Sequence, residues 1–325
     1  MRELSMLEAI REALFQEMER DERVMVLGQD VGAMGGVFRA TEGLQQKFGE
    51  QRVVDTPLAE AAIAASAIGL AVAGMIPVAE IQFLGFTHQA FHQIAPQLTR
   101  IRYRSGGHLS VPVTIRTPFG GLVRTPEHHG DAIEAQYVQS PGIKIVMPAN
   151  AYDAKGLLLA SIRDPDPVLF CEPLRGYRLV RGDVPVEDYE VELGRARIVR
   201  DGDDVTLIAW SAAVAMCELA ADALAEEGIR ATVVDLRTLV PFDVETVVAA
   251  AVRTGRVVVV HEAPLSAGFG AEVVSTIQEE AFYDLEAPIR RVAAWDTPYP
   301  PTRVEEHYFP SVARIVDAVR SISAT

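Results

Sequence analysis

Within residues 56–79, Glu60 is the only charged side chain, and it stands in the first turn of an otherwise apolar helical pattern. A carboxylate there gains about 0.3–1 kcal/mol from the helix dipole. In an apolar wall it also loses hydration, unless a specific donor meets it or it takes up a proton. Two readings follow: an acid that starts a helix, or a carboxylate that shares a proton with a ligand ring nitrogen. Histidines are the other candidates. His128 and His129 lie in the loop TPEHHGD, behind the glycine pair of FGGLVR and directly after a buried strand. Parallel sheets place their chemistry in such loops, and a histidine there can move a proton near neutral pH. A plain solvated loop is the alternative. His88 and His92 are spaced HQAFH, on one helix face like a zinc-protease pair, but Gln89 stands where HExxH needs its glutamate, and no third ligand is evident. They read as ordinary surface or interface histidines. GFGAEV at 268–273 lacks the third glycine of a dinucleotide fingerprint, and neither GxxxxGK[ST] nor GxSxG occurs.

The elements that must position Glu60 are legible around it. Thr56 and Pro57 start the helix, since proline needs no amide partner at the first helical position. The pattern AEAAIAASAIGLAVAG carries it to a stop near Gly74. Ala61, Ala65, Gly69 and Ala73 form a ridge of small residues that permits close approach of another backbone. That backbone is either the chain's own sheet or a second subunit. Upstream, a helix from residue 1 is followed by the strand RVMVLG, a glycine loop at Gly32, Gly35 and Gly36, and a helix over 41–48. Apolar runs without polar alternation at 77–81, 111–115, 143–147 and 167–171 predict a parallel sheet covered on both faces. Residues 172–204 are dense in charge, with an edge strand expected at 189–193. Beyond them, strand and helix alternate again. The expectation is an α/β protein of two domains with parallel-type sheets: 1–185, a charged linker 186–204, and 205–325.

A net charge of −15 over 325 residues repels phosphate backbones and anionic membranes, which argues against nucleic-acid and membrane partners. Cys171 and Cys217 lack CxxC spacing, so neither a disulfide framework nor a structural zinc site is expected. Charges of both signs mix through the first residues, unlike an export signal. The uncharged run before Glu80 is mostly alanine and glycine, too weakly apolar for a membrane span. A soluble cytoplasmic protein is expected.

The strings GQDVGAMGGVFRATEGLQQKFGEQRVVDTPLAEAAI, AEIQFLGF, RYRSGG, VTIRTPFGG, HHGDAIEAQ, SPGIKIVMP, DAKGLLLASIRDPDP, VDLRTLVPFD and VVHEAPLSAGFGAEV run in one order over nearly the whole chain. Together they resemble the beta subunit of the decarboxylating component of 2-oxo acid dehydrogenase complexes. The resemblance implies a thiamine-diphosphate pyrimidine-binding domain followed by a transketolase C-terminal-like domain. It also implies a tetramer of two alpha and two beta chains, with thiamine diphosphate where alpha and beta meet. The reaction would be oxidative decarboxylation with acyl transfer to the lipoyl group of an acyltransferase core, a further partner. This chain has no GDG motif and only one asparagine, Asn150, so magnesium and the diphosphate would belong to the alpha subunit.

By the same resemblance, Glu60 hydrogen-bonds the pyrimidine ring nitrogen, and Leu58 (through its backbone), Gln82 and Phe86 complete the pyrimidine wall. Phe86 stands where some relatives have tyrosine. His129 matches the histidine implicated in passing the acyl group to the lipoyl arm. The sequence departs here from the common HSQ, because Gly130 and Asp131 follow; Asp131 either holds the other nitrogen of the imidazole or faces water. A structural potassium site is implied at Ser161, Asp164 and Asp166 with backbone oxygens of Val111 and Val113; the alternative is that DPDP is a turn before a strand. HEAPLSAGFGAEV and WDTPYP lean toward the branched-chain type, a 2-oxoisovalerate dehydrogenase. TPEHHGDAIE looks equally like bacterial pyruvate dehydrogenase beta chains, the alternative substrate. An alternative of another class is an architectural subunit without chemistry of its own.

Overall fold

The apolar runs become strands because both their faces are covered. The computed structural model describes residues 1–323, and in these fourteen strands form three sheets. In chain order they are β1 (Arg2–Ser5), β2 (Val24–Gly28), β3 (Val53–Asp55), β4 (Ile76–Glu80), β5 (Thr114–Phe119), β6 (Lys144–Val146), β7 (Val168–Pro173), β8 (Arg181–Val184), β9 (Arg197–Arg200), β10 (Val205–Ala209), β11 (Ala231–Asp235), β12 (Thr238–Val240), β13 (Val257–Pro264) and β14 (Arg290–Ala294). The first large sheet has the order β12-β6-β7-β5-β4-β2-β3 and is parallel except for β12. The second has the order β14-β13-β10-β11-β9 and is parallel except for β9.

Every residue of β2, β4, β5 and β7 is buried, as strands between two helical layers must be. On one face of this sheet, helix Met6–Arg20 packs against helix Ala151–Arg163. On the other, Ile63, Ala64, Ala67 and Ala71 of helix Glu60–Val72 join a core that continues into the second sheet. Helix Met6–Arg20 begins with a reciprocal cap, in which Ser5 Oγ receives the Glu8 amide and the Glu8 carboxylate receives the Ser5 amide.

Four expectations need correction. The opening segment is not helical from residue 1, because Arg2–Ser5 pairs antiparallel with Arg181–Val184. Residues 189–193 form no strand; the edge strand is Arg197–Arg200, whose amides find partners on β11. The strand expected at 111–115 begins at Thr114 and runs on to Phe119, through Arg116. A charge ends an apolar run in sequence but not here, since Arg116 is buried with carboxylate partners on both neighbouring strands. Finally, the helix expected to start at Thr56 and Pro57 starts at Glu60, with residues 56–59 outside it. Strand β12 leaves the C-terminal half to pair with β6, a long-range contact without local signature. No helix of the described residues is long and apolar enough to cross a membrane.

Candidate functional site

The candidate residues converge on the carboxyl ends of four neighbouring strands. Gly28 of β2 is registered with Asp55 of β3 and with Glu80 of β4, while Glu80 is registered with Arg116 of β5. The loops that leave these ends therefore emerge side by side. The loop after β3 delivers Glu60 as the first residue of helix Glu60–Val72. Glu60 is half-buried, and within the described residues its carboxylate has no hydrogen-bond or ion-pair partner. Nearby in the chain, Thr56 Oγ1 is buried and equally without a partner. Leu58 is 68% exposed.

The loop after β4 delivers Gln82, whose Nε2 donates to Asp30 Oδ2 at 3.1 Å. Asp30 comes from the glycine loop after β2 and holds φ +60°. Phe86 follows, with its ring 5.1 Å from Phe83, 5.4 Å from His128 and 5.0 Å from His129. Gly85 is obligatory here, because a Cβ would lie 2.5 Å from the His128 carbonyl oxygen. The loop after β5 thus closes directly on the aromatic wall.

That loop sorts its two histidines into different roles. His129 Nδ1 lies 3.1 Å from the Glu127 carbonyl oxygen. A carbonyl only accepts, so Nδ1 carries a proton, and Nε2 is without a hydrogen-bond partner among the described residues. The His129 ring edge also meets Phe83 at 4.7 Å. Asp131 does not hold the His129 imidazole: its partly exposed carboxylate takes the His128 Nδ1 at 2.8 Å instead. The HQAFH pair is split, with His88 stacked parallel to His128 at 6.1 Å and bonded to Gln136, while His92 turns to Gln97.

Hydrogen bonds link the segments that carry the five residues of the expected cation site. Val113 N donates to Val111 O at 2.8 Å, Val168 N to Val113 O at 2.9 Å, and Thr114 Oγ1 to Ser161 O at 3.1 Å. Asp164 accepts from Lys144 at 2.7 Å, and Asp166 is paired with Arg102. DPDP does form a turn before a strand, closed by Asp166 N on Asp164 Oδ1 at 2.9 Å.

Sequence reasoning missed the buried ion cluster beneath the site. Arg116 donates to Glu172 at 2.9 and 2.7 Å and also binds Glu80; Tyr177 donates to Glu172. Burial pushes the Glu80 carboxyl upward against the pull of Arg116. The available signal was one charge in or at the end of each of three apolar runs.

Against this geometry, the transketolase pyrimidine-binding domain profile matches residues 2–179, and the transketolase C-terminal domain profile matches residues 194–315. The chain is 50% identical over 321 residues to the pyruvate dehydrogenase E1 component subunit beta of Staphylococcus epidermidis, covering 99% of both chains. It belongs to the transketolase family, as an E1 beta-type member. The Bacillus subtilis protein of the same name is 49% identical over 322 residues, again with 99% of each chain covered. Among solved structures, a split-gene transketolase described as an inactive beta4 tetramer superposes with a TM-score of 0.81 at 25% identity, over 99% of this chain and 98% of that one. In this E1 beta-type chain, Leu58, Glu60, Gln82, Phe86 and His129 all fall within the pyrimidine-binding match. The small-residue ridge does not pack on the chain's own sheet: Ala65, Gly69 and Ala73 are exposed, and a Cβ on Gly69 would meet nothing.

Proposed function

We propose that the chain is the beta subunit of a thiamine-diphosphate-dependent 2-oxo acid dehydrogenase that acts on pyruvate, with branched-chain 2-oxo acids as the second reading. Glu60 carries the proposal. A half-buried carboxylate without a partner in its own chain, at the carboxyl edge of a parallel sheet, is suited to a ligand's ring nitrogen. Phe86 offers a ring face for stacking, the Leu58 backbone a polar contact and Gln82 an amide already oriented by Asp30. When bound, thiamine diphosphate would supply an electron sink for the pair left behind as carbon dioxide departs. Glu60 holds the proton on the pyrimidine side, and His129 Nε2 delivers or accepts one during acyl transfer to a lipoyl group.

The exposed ridge Ala65, Gly69 and Ala73 supports the reading that this helix packs against a second subunit. An alpha chain holding magnesium and the diphosphate fits a chain that lacks the GDG motif, and an acyltransferase core would then receive the acyl group. A structural potassium ion would use the second lone pairs of the Val111 and Val113 carbonyl oxygens, and would have to draw the Ser161 carbonyl oxygen from Thr114 Oγ1 and the Asp164 amide. It would also have to draw Asp164 and Asp166 from Lys144 and Arg102. Replacing potassium with choline should lower the Tm if the ion is bound.

Substrate follows from relatives rather than from a residue. The two relatives above at 49–50% identity are named for pyruvate, which favours that substrate over the branched-chain type. The test uses the complex that co-purifies with the tagged chain, supplied with thiamine diphosphate, magnesium and an artificial electron acceptor. A kcat/KM for 3-methyl-2-oxobutanoate well below that for pyruvate is expected. The reverse ratio would make it a branched-chain enzyme, and turnover of neither would sink the proposal.

A further inference from the structure

The loop that carries His129 is held by the other domain. Between Gly120 and Gly130, three residues other than glycine adopt left-handed backbone conformations: Leu122 (φ +63°), Arg124 (φ +62°) and His128 (φ +72°). Such conformations persist only where the surroundings over-determine them. For Leu122 the surroundings are the C-terminal segment 295–309, while His128 is held within its own domain by Asp131, Phe86 and His88. The buried Glu305 carboxylate accepts both the Leu122 amide and the Tyr299 hydroxyl. Thr125 Oγ1 donates to the same Tyr299 oxygen at 3.3 Å. The Tyr299 ring fills the space where a Cβ on Gly130 would sit, only 2.2 Å away. This accounts for glycine directly after His129.

The gripping segment is itself fixed. Tyr299 lies edge-on to Tyr308 and Phe309, each at 5.9 Å, and Trp295 Nε1 donates to the His307 carbonyl oxygen at 2.9 Å. Arg314 lies over the Trp295 ring at 4.3 Å and donates to the Ala293 carbonyl oxygen at 2.7 Å. His129 is thus bounded by Phe83 and Phe86 on one side, and its peptide neighbour Gly130 is pressed on Tyr299 on the other.

We propose that Tyr299 and Glu305 are positioning residues that set His129 for acyl transfer, an inference that rests on the role proposed for His129. In that reaction a 2-oxo acid anion, a lipoyl disulfide and one proton yield carbon dioxide and an S-acyl dihydrolipoyl group. The S–S bond breaks, one sulfur takes the acyl group, and the other becomes a thiol with the proton. The electron pair comes from the cleaved carbon–carbon bond. A proton donor displaced by about 1 Å can cost on the order of a hundredfold in rate.

The test measures two rates on the assembled alpha–beta complex: decarboxylation with an artificial electron acceptor, and reductive acylation of a free lipoyl domain. His129→Ala sets the pattern, with acylation falling far more than decarboxylation. Tyr299→Phe and Glu305→Gln should each lower the acylation-to-decarboxylation ratio about tenfold or more, through kcat and not through KM for the lipoyl domain. An unchanged ratio in Tyr299→Phe, while His129→Ala lowers it, overturns the positioning role. Equal loss of both rates does the same. If His129→Ala leaves the ratio unchanged, the reading of His129 fails and this inference falls with it. Tyr299→Phe keeps the ring, so it decides the question even where Glu305→Gln does not assemble.

Discussion

At the scale of single residues, the candidate site holds groups without a partner in their own chain or with one across a turn. Glu60 is half-buried and unpaired, so its removal should cost the chain little stability and the reaction much. Glu60→Gln is expected to lower cofactor-dependent turnover by about 10²–10⁴, the range for a lost proton-transfer group. Size-exclusion chromatography should show the same assembly as the parent. Retained turnover would instead support an architectural subunit. Asp131 is a different case, since it binds His128 and not His129. Asp131→Asn should therefore change the pH dependence of turnover far less than His129→Gln does.

At the scale of elements, the parallel strands carry a polar cluster that their sequence pattern conceals. Glu80, Arg116 and Glu172 lie on β4, β5 and β7, and all are buried. Removing the cation leaves two carboxylates without their charge partner in a dry sheet. Arg116→Leu is expected to destabilise the fold by about 3–5 kcal/mol, read as a shift in the denaturation midpoint. Helix Glu60–Val72 makes the opposite demand, because its outward face is smooth and unfilled. Gly69→Leu should leave the chain folded, as nothing in it is displaced, yet weaken association with a partner subunit. Normal assembly of that variant would remove the ridge from the interface.

At the scale of the whole molecule, buried titratable groups gather where the two domains meet. Burial pushes Glu134, a few residues past the His129 loop, and Glu262 of β13 up to about 7 each, and Arg175 only partly offsets this for Glu262. Glu262 Oε2 lies 2.6 Å from where a Cβ on Gly120 would stand, so this acid borders the start of the same loop. Both acids have folded pKa values above the ordinary 4.5. Below that value both folded and unfolded chains hold the proton, and stability is fully present. As the pH rises from about 4.5 to about 7, the unfolded chain releases protons that the folded chain keeps, and stability falls. The loss is roughly 3 kcal/mol per group at most. His261, buried and pushed down to about 4, acts in the other direction, losing stability as the pH falls below 6.5. Glu134→Gln should therefore be nearly neutral in urea denaturation at pH 5 and stabilising at pH 7.5. An equal effect at both values would show that Glu134 ionises normally.

The sequence by itself determined the alternation of strand and helix, the parallel sheets and the lone carboxylate of the Glu60 helix. These are local signals: apolar periodicity, proline and glycine stops, and one charge where none is otherwise tolerated. The beta-subunit resemblance and the candidate residues were also legible, because they sit in contiguous strings. Only the tertiary structure decided which histidine Asp131 serves, which face of the ridge is open, and why Arg116 can lie inside a strand. It alone brought Tyr299 and Glu305 to a loop more than 150 residues earlier in the chain. Contacts of that kind are fixed by the packing of two domains and leave no periodicity in either partner, so no local pattern could announce them.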